Sequence, residues 1–188
     1  HNKIYDYVMN KIYDKIYTIE PYELDRKIFK QCISLGWTNQ HHFISKQKKY
    51  VFGGFMTDAL YSLNMLNKEK SPRKKLIYLK ELFSKITYLL KFNGKGSDVG
   101  VDDQMPILSY AIVKAKPYGL YSNVKYIELF MEEDLKNKEE GSQLTQLLGV
   151  CDFISRLSHE HLIDVSQEDF KKNNEAAIKG SIIMENNG

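Results

Sequence analysis

Apolar residues in this chain recur every three or four positions, and no convincing stretch alternates with a period of two. That regularity argues against a sheet protein and for helices packed through apolar stripes. The clearest stripe opens at Ser71-Pro72 and runs through Leu76, Leu79, Leu82, Phe83, Ile86, Leu89 and Leu90. Serine is a favoured N-cap, and proline suits the first helical position, where no N–H is needed. The spacing predicts a helix from there to about Lys91.

Other stripes fill most of the chain. Ile4, Val8, Ile12 and Ile16 fall every four residues within a repeated Lys-Ile-Tyr pattern. This predicts a helix packing through those residues, with its tyrosine hydroxyls reaching water. Pro21 opens a second helix with an apolar face of Leu24, Ile28, Cys32 and Leu35, stopped at Gly36, and Trp37 plugs the core beside its end. Phe55 to Leu66 is helical by pattern. Asn93 to Gly100 carries three glycines in eight residues and reads as a flexible loop. Asp102 and Asp103 begin the next helix, with Met105, Leu108, Ile112 and Ala115 along it until Pro117. A short helix spans about Asn123 to Met131, and Met131 to Glu140 reads as a charged loop. Leu144, Leu147, Leu148, Cys151, Ile154 and Leu157 mark another helix. Ser166, with Asp169 three residues on, caps a last helix from Gln167 to about Lys179, and the tail frays from Glu185. The expectation is an all-α fold of six to eight packed helices with mostly short connections.

The chemistry available is limited. Twenty-seven basic and 24 acidic residues leave a net charge of +3, too little to predict a nucleic-acid groove or a membrane surface. No apolar run is long enough to span a bilayer. His1-Asn2-Lys3 is not a signal peptide and reads as a cut from a longer chain. The two cysteines, Cys32 and Cys151, sit among apolar residues and read as core thiols in a reducing compartment. Gly94-Lys95-Gly96 does not continue into a phosphate loop, and neither a zinc-binding HExxH helix nor a nucleophile elbow occurs. His41 and His42 are adjacent, so a helix cannot turn both to one face. His159 and His161 flank Glu160 at a helix-to-loop boundary and make a poor metal site.

Asp102-Asp103 is the informative acidic pair. Aspartate at a helix start accepts hydrogen bonds from unpaired N–H groups and suits the positive end of the macrodipole. Two carboxylates after a glycine-rich loop can equally be presented outward, as a reagent for a lysine, an arginine or a metal. Residue chemistry leaves both readings open.

Two blocks go further. Gly100-Val101-Asp102-Asp103-Gln104-Met105-Pro106, followed after a helix by Ser122-Asn123-Val124-Lys125-Tyr126-Ile127-Glu128-Leu129-Phe130, resembles the signature of the vacuolar-protein-sorting-nine (Vps-nine) domain. Leu35-Gly36-Trp37, Ser71 to Leu76, Thr145-Gln146-Leu147 with Phe153-Ile154, and Ser166 to Phe170 extend the resemblance over nearly the whole chain. It implies a layered bundle of about six core helices plus a C-terminal helix. Residues 1–165 would form the exchange domain, 166–182 a helix packed on it, and 183–188 a frayed tail. It also implies a guanine-nucleotide exchange factor for a Rab-family GTPase of the early-endosomal (Rab-five) group, in its nucleotide-free or GDP form. Such a protein does no covalent chemistry and needs no cofactor or metal. It is cytoplasmic and recruited to endosomal membranes, through the GTPase or through flanking regions, without inserting into them.

Asp102 matches an aspartate that enters the GTPase nucleotide site and engages the lysine holding the phosphates. Pro106 matches a proline shaping the docking surface, with Asp103, Gln104 and Met105 in the same partner-binding start. Thr145 matches a threonine of the groove that receives the switch regions. Asn123 and Tyr126 match positions read as structural. Two positions depart from the pattern: Ser142 stands where the family has a tyrosine, and Gln104 where it has an apolar residue. They favour an alternative, a module that binds a GTPase with weak or no exchange. A plain helical scaffold in which the aspartates only cap a helix is a third reading.

Overall fold

α4 (Pro72–Leu90) carries the longest apolar stripe, and the other helices gather around it. In the computed structural model, which describes residues 2–17, 22–44, 52–96 and 99–186, it packs against α1 (Asn2–Ile16), α3 (Phe55–Lys68), α5 (Val101–Ala115), α6 (Leu120–Phe130) and α8 (Glu139–Ser155). α2 (Glu23–Ser34) lies across α5, α6 and α8 and carries α9 (Gln167–Asn186) on its other side. No strand occurs among the described residues, so the fold is all-α. Leu79, Leu82, Ile86 and Leu90 of α4 share one core with Ile28, Leu63, Leu108, Ile112, Val124 and Leu147. Burying each such side chain contributes roughly 1.5–3 kcal/mol. Cys32 and Cys151 are buried in the same core, and burial pushes the Cys32 thiol up to about 12, so it stays protonated.

Several expectations change. α1 buries Met9 and leaves Ile4 70% exposed and Val8 exposed. Its packing face is aromatic instead: Tyr13 and Tyr17 stack and meet Tyr126 edge-on, while the covered Tyr5 hydroxyl makes no hydrogen bond. A stripe of β-branched residues looked stickier than a stripe of phenols, yet the phenols bring more area and a polar tip. Ser71 precedes α4 without capping it, because its hydroxyl is spent on Asp6 of α1. α2 ends at Ser34, two residues before Gly36. Pro21 lies outside the described residues. α6 starts a turn earlier than expected, and the charged stretch before α8 holds a one-turn helix, α7 (Glu133–Lys136). α9 continues past Lys179 to Asn186, and its start has the expected reciprocal cap: the Asp169 N–H donates to Ser166 Oγ at 3.0 Å, and that hydroxyl donates to Asp169 Oδ2 at 2.7 Å. Trp37 packs on the core and donates its indole N–H to Asn174 of α9 at 2.7 Å.

His42 and His161 act locally. Each accepts, through Nδ1, the backbone N–H three residues earlier, of Asn39 and Ser158, at 3.0 Å in both cases.

Candidate functional site

The start of α5 is prepared by the end of α4. Asn93 donates to the Leu89 carbonyl at 2.8 Å, and a widened turn over Lys91–Lys95 follows. Gly94 and Gly96 adopt φ of 86° and 67°, a region costly for any residue with a Cβ. Gly100 is the N-cap residue of α5, and having no side chain it leaves the cap to others. Asp103 supplies it. One of its oxygens accepts the Gly100 N–H at 3.3 Å and the other pairs with Lys95 at 2.8 Å, leaving the side chain 13% exposed. Asp102 is exposed to solvent. The two adjacent carboxylates are thus divided: one is folded into the helix start and the other faces water at the positive end of the macrodipole.

Pro106 sits in the second turn of α5 and has no N–H to offer the carbonyl of Asp102 four residues back. The Asp102 carbonyl is left without its usual donor four residues on. Gln104 points along the surface to α4, donating to the Thr87 hydroxyl at 3.2 Å, and Met105 packs partly against the core. On α8, Ser142 and Thr145 are exposed and three residues apart, so they share a helix face. The Thr145 hydroxyl donates to the Gly141 carbonyl at 3.0 Å. Gly141 is where α7 crosses α8: a Cβ there would lie 1.9 Å from the Lys136 carbonyl oxygen, so this close approach admits only glycine.

An open cleft of about 710 Å³ lies between α4, which forms its long wall, and the start of α8. Thr87, the partner of Gln104, lines it, and so does Gln143, between Ser142 and Thr145 in sequence. Of the residues read from the sequence, Asp102, Ser142 and Thr145 are exposed, while Asp103 and Gln104 are turned partly inward. Sequence reasoning missed the α4 wall. Tyr88 falls off the apolar stripe of its helix, which was the available signal, and it is 68% exposed and stacked on Phe92.

The second block is internal. Asp25 of α2 is buried and accepts the Tyr121 N–H at 2.7 Å, the Ser122 N–H at 3.1 Å and the Ser122 hydroxyl. It caps α6 from another helix. Asn123 is buried too, accepting from Lys75 at 2.5 Å and donating to Asn67 at 2.7 Å and to the Gly119 carbonyl at 2.8 Å. Lys75 also donates to the Leu66 carbonyl at 2.8 Å and lies 5.5 and 5.7 Å from the Tyr13 and Tyr17 ring centres. Burial lowers its pKa to about 7. Tyr126 donates to the Lys70 carbonyl at 3.2 Å. These bonds hold α2, α4 and α6 together, and of this block Leu129 is exposed.

The fold defines an all-helical module with an exposed carboxylate at the start of α5. Residues 56–159 match the Vacuolar sorting protein 9 (VPS9) domain model. The chain is 27% identical over 181 residues to Vacuolar protein sorting-associated protein 9A of Arabidopsis thaliana, covering 91% of this chain and 34% of that protein. It is 25% identical over 177 residues to the Rab5 GDP/GTP exchange factor of Homo sapiens, covering 91% and 36%. To vps901 of Schizosaccharomyces pombe it is 28% identical over 162 residues, covering 84% and 27%. It spans about a third of the length of these curated relatives. The chain belongs to the VPS9 domain family. No helix among the described residues is long and apolar enough to cross a membrane.

Proposed function

We propose that this domain is a guanine-nucleotide exchange factor for a Rab5-type GTPase of the early endosome, and that Asp102 is the acidic finger that empties the nucleotide site. The observation that carries the reading is the division of labour at the start of α5: Asp103 is engaged by Gly100 and Lys95, while Asp102 stays exposed. A capping role for the pair is filled by one residue and leaves the other for a partner. Family membership and relatives named as Rab5 exchange factors support the choice of partner.

The mechanism needs no covalent step and no cofactor. A GTPase holds GDP through its phosphate loop, a lysine and Mg²⁺. The edge formed by Gln104, Met105, Pro106, Ser142 and Thr145 seats the switch regions in a conformation that disfavours Mg²⁺. Asp103 holds the helix start in place, and Asp102 offers the lysine a replacement anion while repelling the phosphates. A thousandfold acceleration of release needs about 4 kcal/mol of selective stabilisation. One charge-assisted hydrogen bond contributes roughly 1.5–3 kcal/mol, so the docking edge supplies the rest by differential contact. The coupling is reciprocal: incoming nucleotide weakens the complex by the factor with which the complex weakens nucleotide. The GTPase, in its GDP or nucleotide-free form, brings the domain from the cytoplasm to the endosomal membrane.

The test is release of fluorescent GDP from a Rab5-type GTPase. Asp102→Ala lowers the rate by about ten- to a hundredfold. Wild-type release by that variant refutes the finger. Ser142 in place of a tyrosine, and Gln104 tied to Thr87, favour the second reading, a GTPase-binding module with little exchange. The same assay separates the two: binding without accelerated release selects the module.

A further inference from the structure

The cleft between α4 and the start of α8 has no role in the mechanism so far. Its wall is Ile77, Ser84, Thr87 and Tyr88 of α4, and its far side is Glu139 and Gln143 of α8. The wall is amphipathic: Ile77 is 53% exposed and Tyr88 is 68% exposed, with serine and threonine between them. Within the wall Lys80 pairs with Glu140 at 2.6 Å, and that hydrogen bond holds the Glu140 carboxyl below the usual carboxylate range. Lys85 pairs with Asp58 at 3.3 Å. Glu81, Lys91 and Glu139 also line the cleft, so Ile77, Tyr88 and the neutral polar groups are set among charges of both signs.

Gln143 is the residue that calls for an explanation. It is 7% exposed, and its Nε2 donates to Glu139 at 2.9 Å. Its Oε1 is covered and accepts no hydrogen bond among the described residues. A buried acceptor left unpaired is costly, and native proteins keep few of them. The terminal torsion of glutamine is broad, so a small rotation brings this oxygen toward the cleft that the residue lines.

We infer that the α4–α8 cleft is a second docking site on the same GTPase, receiving a side chain with an apolar body and an N–H or O–H donor at its tip. The body lies against Ile77 and Tyr88, and the donor satisfies Gln143 Oε1. This rests on the exchange-factor reading. Continuity with the proposed docking edge identifies the occupant as the same partner: Thr87 of the wall holds Gln104 of α5, whose neighbours Met105 and Pro106 belong to that edge. A segment of the GTPase lying beside the finger passes over this cleft. The site contributes affinity and selectivity, whereas the finger contributes turnover.

The experiment is the dependence of fluorescent-GDP release on the concentration of the Rab5-type GTPase, with melting temperature measured in parallel. Tyr88→Ser, on an exposed ridge, raises the half-saturating concentration about tenfold without changing the maximal rate. Gln143→Leu raises it about fivefold while leaving the melting temperature unchanged or higher, since an unpaired acceptor is removed. In a Glu139→Gln background, which removes the facing carboxylate, Gln143→Glu keeps an acceptor and binds more tightly than Gln143→Leu. Unchanged half-saturation in both Tyr88→Ser and Gln143→Leu, in a domain whose turnover still depends on Asp102, overturns the cleft and leaves the finger standing. Equal binding by the leucine and glutamate variants overturns the donor. A wild-type domain that neither binds nor empties the GTPase overturns the cleft together with the exchange-factor reading.

Discussion

At the start of α6 a carboxylate is borrowed from another helix and buried; at the start of α5 one of two neighbouring carboxylates is left in water. Both sites use aspartate at the positive end of a helix, and in both a backbone N–H is satisfied. Asp25 is enclosed, with the Tyr121 and Ser122 N–H groups and the Ser122 hydroxyl all donating to it. Such a residue holds architecture and has nothing left to give a ligand. At α5 Asp103 takes the Gly100 N–H and pairs with Lys95, and Asp102 remains exposed. Burial and the count of satisfied donors, more than residue type or helix position, separate an acid consumed by the fold from one left exposed.

The comparison breaks first at Asp25. Asp25→Ala strands buried donors and removes a cap, costing about 3 kcal/mol in a urea titration. A loss under about 1 kcal/mol, the usual scale of a surface change, would put the two helix starts in one class.

Lys75 sharpens the same point by pH. Burial lowers its pKa to about 7 in the folded domain, against 10.5 for an exposed lysine. Between those values the unfolded chain binds more protons than the folded one, so stability from this residue rises with pH through that window. Above about pH 10 the raised pKa values of Tyr13, Tyr17 and Tyr126 act in the opposite sense. Wild type should therefore gain on Lys75→Met between pH 7 and 9, by at most about 1.4 kcal/mol per pH unit. Parallel pH profiles for the two proteins would show that Lys75 titrates alike in both states.

The smallest effect on folding is at Asp103. Asp103→Ala removes the N-terminal cap of α5 and should cost about 1 kcal/mol in the same titration. It should also slow nucleotide release, because the turn holding Asp102 loses its anchor. A stability loss with unchanged release would mean that the tip does not need to be held.

The helices were legible because burial in a helical bundle writes a 3.6-residue period, and α3, α4, α5 and α8 follow it closely. α1 was misread at Ile4 and Val8, because an apolar stripe and an aromatic one run side by side on that helix and only the tertiary partners Lys75 and Tyr126 choose between them. The Ser122-Asn123 block could be recognised as a signature, but its reason could not be read: Asp25 lies 97 residues away in sequence and Lys75 lies 48 away. At the candidate site the pair Asp102-Asp103 was visible as a pair. Which member faces out depends on Lys95 across the glycine turn, a contact that spacing does not encode. The α4 wall left one trace, an aromatic residue at position 88 out of phase with its stripe.

The central claim is that the charge on Asp102, held at the tip of α5 and not consumed by the fold, drives nucleotide release. Asp102→Asn keeps the shape and removes the charge, so GDP release from a Rab5-type GTPase is the direct measurement, with a urea titration beside it. Release should fall by at least about tenfold while stability changes by less than about 1 kcal/mol. Release at the wild-type rate, or a loss of release that merely follows a loss of stability, would contradict the account.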